Sequence, residues 1–186
     1  MTAIPVGELS RPRNGAWHRF PGWSRRGTIL GVGSRIVTER LVLEPLSQET
    51  AQAVVDGAPD GLRRGAGWPH ADTLDAFGMV AKHGSEAWLI LENGVVVGDA
   101  GTHGPPDENR DVEIGYGFAE PARGRGLASE FVPALAEVLL ARPEVGRVVA
   151  REVLADNVPS RRALERAGFR LEREQDGLTW YTLGSP

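Results

Sequence analysis

Cysteine is absent from the 186 residues. Its absence excludes disulfides, a thiolate nucleophile and any cysteine-ligated metal. No apolar run approaches the roughly 20 residues that span a bilayer. The N-terminus also lacks the apolar core of roughly 7–15 residues that marks a secretory signal. These absences predict a cytoplasmic protein that neither enters a membrane nor holds a metal. What remains is ordinary globular material, with 41% hydrophobic and 25% charged residues. The length predicts one domain plus a tail. A domain of about 150 residues buries roughly two-thirds of its unfolded surface, enough for a proper core.

Charge is unevenly placed. Residues 1–33 carry five arginines against Glu8, a net +4, so with −4 overall residues 34–186 sum to −8. The first segment is rich in Gly, Pro, Ser and Arg, with Trp17, Phe20 and Trp23 and no helical or strand period. It reads as a disordered extension. A basic, aromatic arm touching nucleic acid or a partner is the sharper alternative. An acidic domain is a poor general binder of nucleic acid and suits a cationic acceptor such as an amine.

Residues 36–44 alternate and are β-branched, which predicts a strand stopped by Pro45. Ser47 is placed to cap a helix over 48–56, and Thr73 to cap one over 74–83. Apolar runs 87–91 and 95–98 flank Asn93-Gly94, a strong hairpin signal, and the second run extends toward Thr102. In a strand over 111–118, Val112, Ile114, Tyr116 and Phe118 share one face and Glu113, Gly115 and Gly117 the other. Leu127, Phe131, Leu135 and Val138 stand at helical spacing within 126–141, a helix that contains Pro133. A strand follows over 147–154. A short helix over 159–167 then has Pro near its start and Gly168 just past its end. Strands over 169–174 and 178–183 close the chain. This order predicts a mixed α/β domain with one central sheet covered by helices.

Arg123-Gly124-Arg125-Gly126-Leu127-Ala128 lies between the predicted strand 111–118 and the helix. The first N–H groups of a helix lack internal partners and carry the positive end of its dipole. Glycines let that backbone approach a ligand, and Arg123 and Arg125 add fork-shaped cationic donors. The expected ligand carries a pyrophosphate. A P-loop is excluded, because no Lys followed by Ser or Thr comes after the second glycine. A dinucleotide fingerprint fits poorly: the third glycine is missing, and Glu152 is far along for the ribose acid.

Arg-x-x-Gly-x-Ala, read as Arg123, Gly126 and Ala128, resembles the acyl-CoA pyrophosphate loop of GNAT N-acetyltransferases. Residues Asp156-Asn157-Val158-Pro159-Ser160 through Gly168-Phe169 resemble that family's second signature, Asn-x-x-Ser, a short helix, then Gly-Phe. Thr38-Glu39-Arg40-Leu41-Val42-Leu43-Glu44-Pro45-Leu46 and Val112-Glu113-Ile114-Gly115-Tyr116 resemble two strands of the RimJ/RimL-like branch. The resemblance runs from about Arg35 to Leu183. It implies a GNAT-like mixed α+β fold, a central, mostly antiparallel sheet flanked by helices. It also implies acetyl-CoA as cosubstrate and direct transfer of acetyl to an amine. The acceptor would be a protein N-terminal α-amine or a small-molecule amine.

On that reading Arg123, Gly124, Arg125, Gly126, Leu127 and Ala128 hold the pyrophosphate. Asn157 reaches the pantetheine arm, and Phe118 offers backbone groups to the pantetheine and acyl carbonyl. Glu113 is the first candidate for the base that takes the amine proton, with a structural carboxylate as the alternative and His103 and Asp99 next in order. Many members of the family protonate the leaving thiolate with a tyrosine, where this chain has Leu164. The RimJ/RimL-like branch can use a serine, which matches Ser160. Trp68 walls the acceptor pocket or belongs to the core. The departure at Leu164 leaves a second reading open, a GNAT-fold module that binds acyl-CoA without turnover. Monomer and homodimer are equally compatible with the sequence.

Overall fold

The computed structural model describes residues 35–57 and 61–184. The extension expected over residues 1–33 lies outside the described residues. Residues 36–44 do not form one strand. They make β1 (Ile36–Val37) and β2 (Leu41–Pro45), antiparallel with Ile36 opposite Leu43. A turn intervenes, in which the Thr38 N–H donates to the Leu41 carbonyl at 2.9 Å. The alternation misled because the turn is fixed from a distance. Thr38 Oγ1 and the Arg40 N–H both donate to Glu130, some 90 residues on.

Ser47 caps α1 (Gln48–Val55) by accepting the Thr50 N–H. The next helix, α2 (Ala71–His83), begins three residues earlier than expected, and His70 is its cap in place of Thr73. The His70 ring nitrogen accepts the Thr73 N–H, which leaves the threonine hydroxyl for another partner. β3 (Ala87–Glu92) and β4 (Val95–Thr102) form the expected hairpin. Asn93 and Gly94 have φ of +51° and +73°, the positive-φ pair of a type I′ turn.

β5 (Asp111–Phe118) leads through a 3-10 turn, Glu120–Ala122, to α3 (Leu127–Leu140) and then β6 (Arg147–Leu154). α4 (Val158–Arg166), β7 (Arg170–Gln175) and β8 (Leu178–Gly184) complete the chain. Past α4, the Phe169 N–H bonds to the Leu164 carbonyl and the Gly168 N–H to that of Glu165. That pair of bonds, with Gly168 at φ +89°, is a Schellman cap. It places Phe169 and Leu164 together in the core.

The eight strands form one sheet in the order β1-β2-β3-β4-β5-β6-β8-β7. Every neighbouring pair is antiparallel except β5 and β6, joined through α3. Each face of the sheet has its own core. Trp88, Ile90, Ile114, Phe131, Leu135 and Leu164 belong to the α3 and α4 side. Leu89, Val96, Phe77 and Val54 belong to the α1 and α2 side. β3 reads as a continuous apolar run because both of its faces are covered.

The β5–β6 ladder is short, covering Asp111, Val112 and Glu113 opposite Arg147, Val148 and Val149. Asp111, 3% exposed as a side chain, anchors it. Its two oxygens take Arg147 Nε at 2.6 Å and Nη2 at 2.7 Å, and Arg151 Nη2 lies 3.2 Å from the second. Asp111→Ala leaves both guanidiniums without this partner. Breaking a buried pair costs about 3–5 kcal/mol, and the partial exposure of both arginines places the loss near about 3 kcal/mol. Urea unfolding measures it, and a loss below about 1 kcal/mol, the scale of a surface pair, refutes this view of the anchor.

Candidate active site

The glycine loop is built as a cradle and braced from outside. Gly124 and Gly126 have φ of +71° and +76°, values that side chains other than glycine's rarely adopt. A Cβ on Gly124 would meet nothing within 4 Å, and one on Gly126 only Arg40 Nη2 at 4.0 Å. Gly126 is the N-cap of α3, and no side chain caps that end. Among the described residues nothing covers the outward side of the loop, over the N–H groups of the first turn that have no partner within the helix.

Both arginines of the loop have partners inside the protein. Arg123 Nε donates to the Phe118 carbonyl at 2.8 Å, tying the loop to the end of β5. Arg125 forks onto Glu92 at the hairpin tip, at 2.8 and 2.7 Å. Arg40 donates to the Arg125 carbonyl at 3.1 Å and to Glu130 at 2.6 Å. Burial pushes the Glu130 carboxyl up, but the bonds from Thr38 and Arg40 outweigh it and hold the group below its ordinary range. An anionic Glu130 in the first turn of α3 also suits the helix dipole. The groups of the loop left without a side-chain partner are thus backbone N–H groups, with the guanidiniums fixing their geometry.

From this loop β5 runs back along a gap. Beyond Glu113 and Val149 the ladder stops, and β6 continues through its pairing with β8. Residues 114–118 of β5 and 150–154 of β6 have no pairing with each other. Among the described residues the Tyr116 side chain crosses between the two sides: its Oη lies 2.9 Å from Ser160 Oγ. Ser160 stands in the first turn of α4, whose cap is Asn157, with Oδ1 accepting the Ser160 N–H at 3.3 Å. Burial pushes the Tyr116 hydroxyl above its ordinary range, so it stays protonated and able to donate. Leu164 is fully buried beneath them.

A family model for the acetyltransferase (GNAT) domain matches residues 40–170. The chain belongs to the GNAT acetyltransferase family. It is 30% identical over 143 residues to the uncharacterized N-acetyltransferase YjdG of Bacillus subtilis (strain 168), covering 72% of this chain and 83% of that protein. Among solved structures, an acetyltransferase from Agrobacterium tumefaciens str. C58 superposes with a TM-score of 0.56 at 22% identity, over 87% of this chain and all of that one. RimL, the ribosomal L7/L12 alpha-N-protein acetyltransferase in complex with coenzyme A, superposes with a TM-score of 0.56 at 21% identity, over 79% of this chain and 95% of that one. The protein is an acetyl-CoA-dependent acetyltransferase. Acetyl-CoA fits the residues present: an open loop of backbone donors meets a gap of unpaired strand edge.

On the other face of this GNAT sheet, Glu113, Gly115 and Gly117 of β5 face the α1–α2 side. Glu113 is held by His103 Nδ1 at 3.1 Å and Arg151 Nη1 at 3.2 Å. Trp68 lies in the core, 5% exposed and edge-on to Phe77 at 6.1 Å between ring centroids. Its indole N–H donates to Asp99 Oδ2 at 2.8 Å, and the Thr73 hydroxyl donates to the same oxygen at 2.7 Å. Glu113 and Ser160 are therefore on different elements around the gap, while Trp68 and Asp99 sit deeper on the α2 side. The brace of Arg40 and Glu130, the Tyr116–Ser160 bond and the Asp99 cluster were missed from sequence. Only Asp99 left a signal there, a lone carboxylate within an apolar strand.

Burial pushes the Asp99 carboxyl above its ordinary range, the bonds from Thr73 and Trp68 offsetting part of the effect. A carboxyl raised on folding gives stability that is present in acid and is lost as pH rises from the unfolded value through the folded one. Asp99→Asn keeps an acceptor for Trp68 and Thr73 and carries no charge. Its melting temperature relative to the parent is expected to be higher at pH 8 than at pH 4, the gain accruing between the unfolded and folded values. A difference that shrinks with pH contradicts this account of Asp99.

Proposed function

We propose that the protein moves acetyl from acetyl-CoA by direct transfer to a primary amine, either a protein N-terminal α-amine or a small-molecule amine. The single observation that carries this is the meeting of the open glycine loop, the unpaired half of β5 and the Ser160 hydroxyl along one gap. The N–H groups of Gly124 to Ala128 cradle the pyrophosphate, with Arg123 and Arg125 as the bracing residues of that loop. Phe118 offers backbone groups to the pantetheine, and Asn157 approaches it from α4. Acetyl-CoA supplies an activated acyl group on a thiolate leaving group. Ser160 donates a hydrogen bond to the sulfur, and Tyr116, bonded to its oxygen, resupplies the proton in place of the tyrosine that Leu164 replaces.

Glu113 supplies the carboxylate on which loss of the amine proton depends, and Trp68 backs the acceptor side through Asp99. The net charge of −8 over residues 34–186 suits a cationic acceptor. RimL acts on a protein α-amine by its name, and the resemblance to the RimJ/RimL-like branch favours that class here. A cytoplasmic setting and a dispensable extension over residues 1–33 belong to the same reading. No helix among the described residues is long and apolar enough to cross a membrane.

A panel of amines and N-terminal peptides with acetyl-CoA, scored by thiol release, tests the activity. Release with at least one acceptor is expected, and binding of acetyl-CoA without release from any of them sinks the reading. Acetyl-CoA is also expected to raise the melting temperature with concentration. Gly126→Val puts a branched side chain at φ +76° in the open mouth of the loop. A folded Gly126→Val protein with unchanged affinity overturns the loop assignment. Deletion of residues 1–33 is expected to leave melting temperature and affinity nearly unchanged, and an insoluble or non-binding truncation moves the boundary.

A further inference from the structure

Two glycines of β5 leave spaces that imidazoles fill. A Cβ on Gly115 would lie 2.8 Å from His103 Nε2, and one on Gly117 would lie 2.7 Å from His70 Nε2 and Cε1. The two rings are held in opposite senses. His70 Nδ1 accepts the Thr73 N–H at 3.2 Å, so the neutral ring carries its proton on Nε2 and has no lone pair to offer there. His103 Nδ1 lies 3.1 Å from Glu113 Oε1. An ionised carboxylate only accepts, so Nδ1 carries the proton and Nε2, above Gly115, keeps the lone pair.

The rest of the surroundings fixes this pair. The His103 backbone N–H donates to the Glu113 carbonyl at 2.9 Å, so the two residues are joined through main chain as well as side chain. The other Glu113 oxygen takes Arg151 Nη1 at 3.2 Å. The charged groups about the ring are thus Glu113 on β5 and Arg151 on β6. Through Arg151 they extend to Asp107 in the turn before β5 and to Asp111. Both Glu113 oxygens are engaged, and its side chain is 21% exposed against 62% for His103. The imidazole is the outer member. Gly115 also lies in the stretch of β5 that β6 has left.

We propose that His103 Nε2, oriented by Glu113, takes the proton from the acceptor amine. The inference rests on the acetyl-transfer reading and revises which atom does the work. As the amine nitrogen bonds to the acetyl carbon, the carbon–sulfur bond breaks and its electron pair leaves with the thiolate. The proton on nitrogen passes to His103 Nε2 and from there to water, which the exposed ring meets directly. The thiolate takes a proton from Ser160, resupplied by Tyr116 or water. Glu113 is a positioning residue that selects the tautomer. A side chain at Gly115 would push the ring from this position, since a Cβ there lies 2.8 Å from Nε2.

Steady-state kinetics on the full chain, with the best acceptor of the panel, separates His103 from Glu113. His103→Ala is expected to lower turnover by about 10²-fold, the usual scale for loss of a general base. The acidic limb of its pH–rate profile disappears, added imidazole restores part of the rate, and affinity for acetyl-CoA holds. Glu113→Gln still accepts from Nδ1–H. It is expected to keep the limb and stay within about 10-fold of the parent, the scale of one weakened hydrogen bond. Glu113→Leu, without an acceptor, falls as far as His103→Ala. Normal turnover in His103→Ala overturns the proposal, and so do Gln and Leu variants that are equally slow and both lack the limb. Nitrogen NMR of His103 gives an answer independent of turnover: a neutral ring protonated on Nε2 refutes the dyad. Absence of thiol release with every acceptor strikes instead at the acetyl-transfer reading.

Discussion

Parallel strands β5 and β6 hold each other over three residue pairs and then part, and the closed end of the gap is held by charge. Asp111 and Glu113 project from β5, Arg147 and Arg151 from β6, and their contacts join the strands where the ladder is shortest. A parallel pair gains less per residue than an antiparallel one, so a three-residue ladder is a weak hinge by itself. Buried ion pairing at its base lets the strands diverge without coming apart. The gap then presents the edge of β5 that β6 leaves unpaired beyond Glu113, which is the chemistry an extended amide-bearing arm needs.

The mouth of that gap has the opposite problem, since a loop with two positive-φ glycines is also free to collapse. Its freedom is restrained by side chains from distant elements. Arg125 reaches the β3–β4 hairpin, Arg123 returns to the end of β5, and Arg40 ties the loop carbonyl to Glu130. No side chain of the described residues caps the positive end of α3, and the loop's shape is preserved by contacts on its outer side. Binding then needs little reordering of the backbone.

Much of the frame was legible because it is written in local chemistry. Asn93-Gly94, Ser47, and Gly168 followed by Phe169 each name a turn or a cap through their own backbone preferences, and each appears where expected. The same reasoning failed where a distant residue took over a local role. The strand expected over 36–44 is broken by a turn bonded to Glu130, and α2 is capped by His70 because Thr73 turns its hydroxyl to Asp99. Trp68 offered no local signal. Its depth in the core follows from its packing on Phe77 and its indole bond to Asp99.

The sequence by itself determined the family, most of the order of elements and the placing of a glycine loop between a strand and a helix. These depend on spacing within a few residues, through glycine, the start of a helix and side-chain period. Only the tertiary structure decided which charges meet. Arg123 and Arg125 proved to be braces, Tyr116 came to lie against Ser160, and Glu113 came to stand behind His103. The physical reason is that a side chain's partner is set by which strands neighbour each other and in what register. A carboxylate placed on a strand by its period gains its chemical role only when the facing residue is in place.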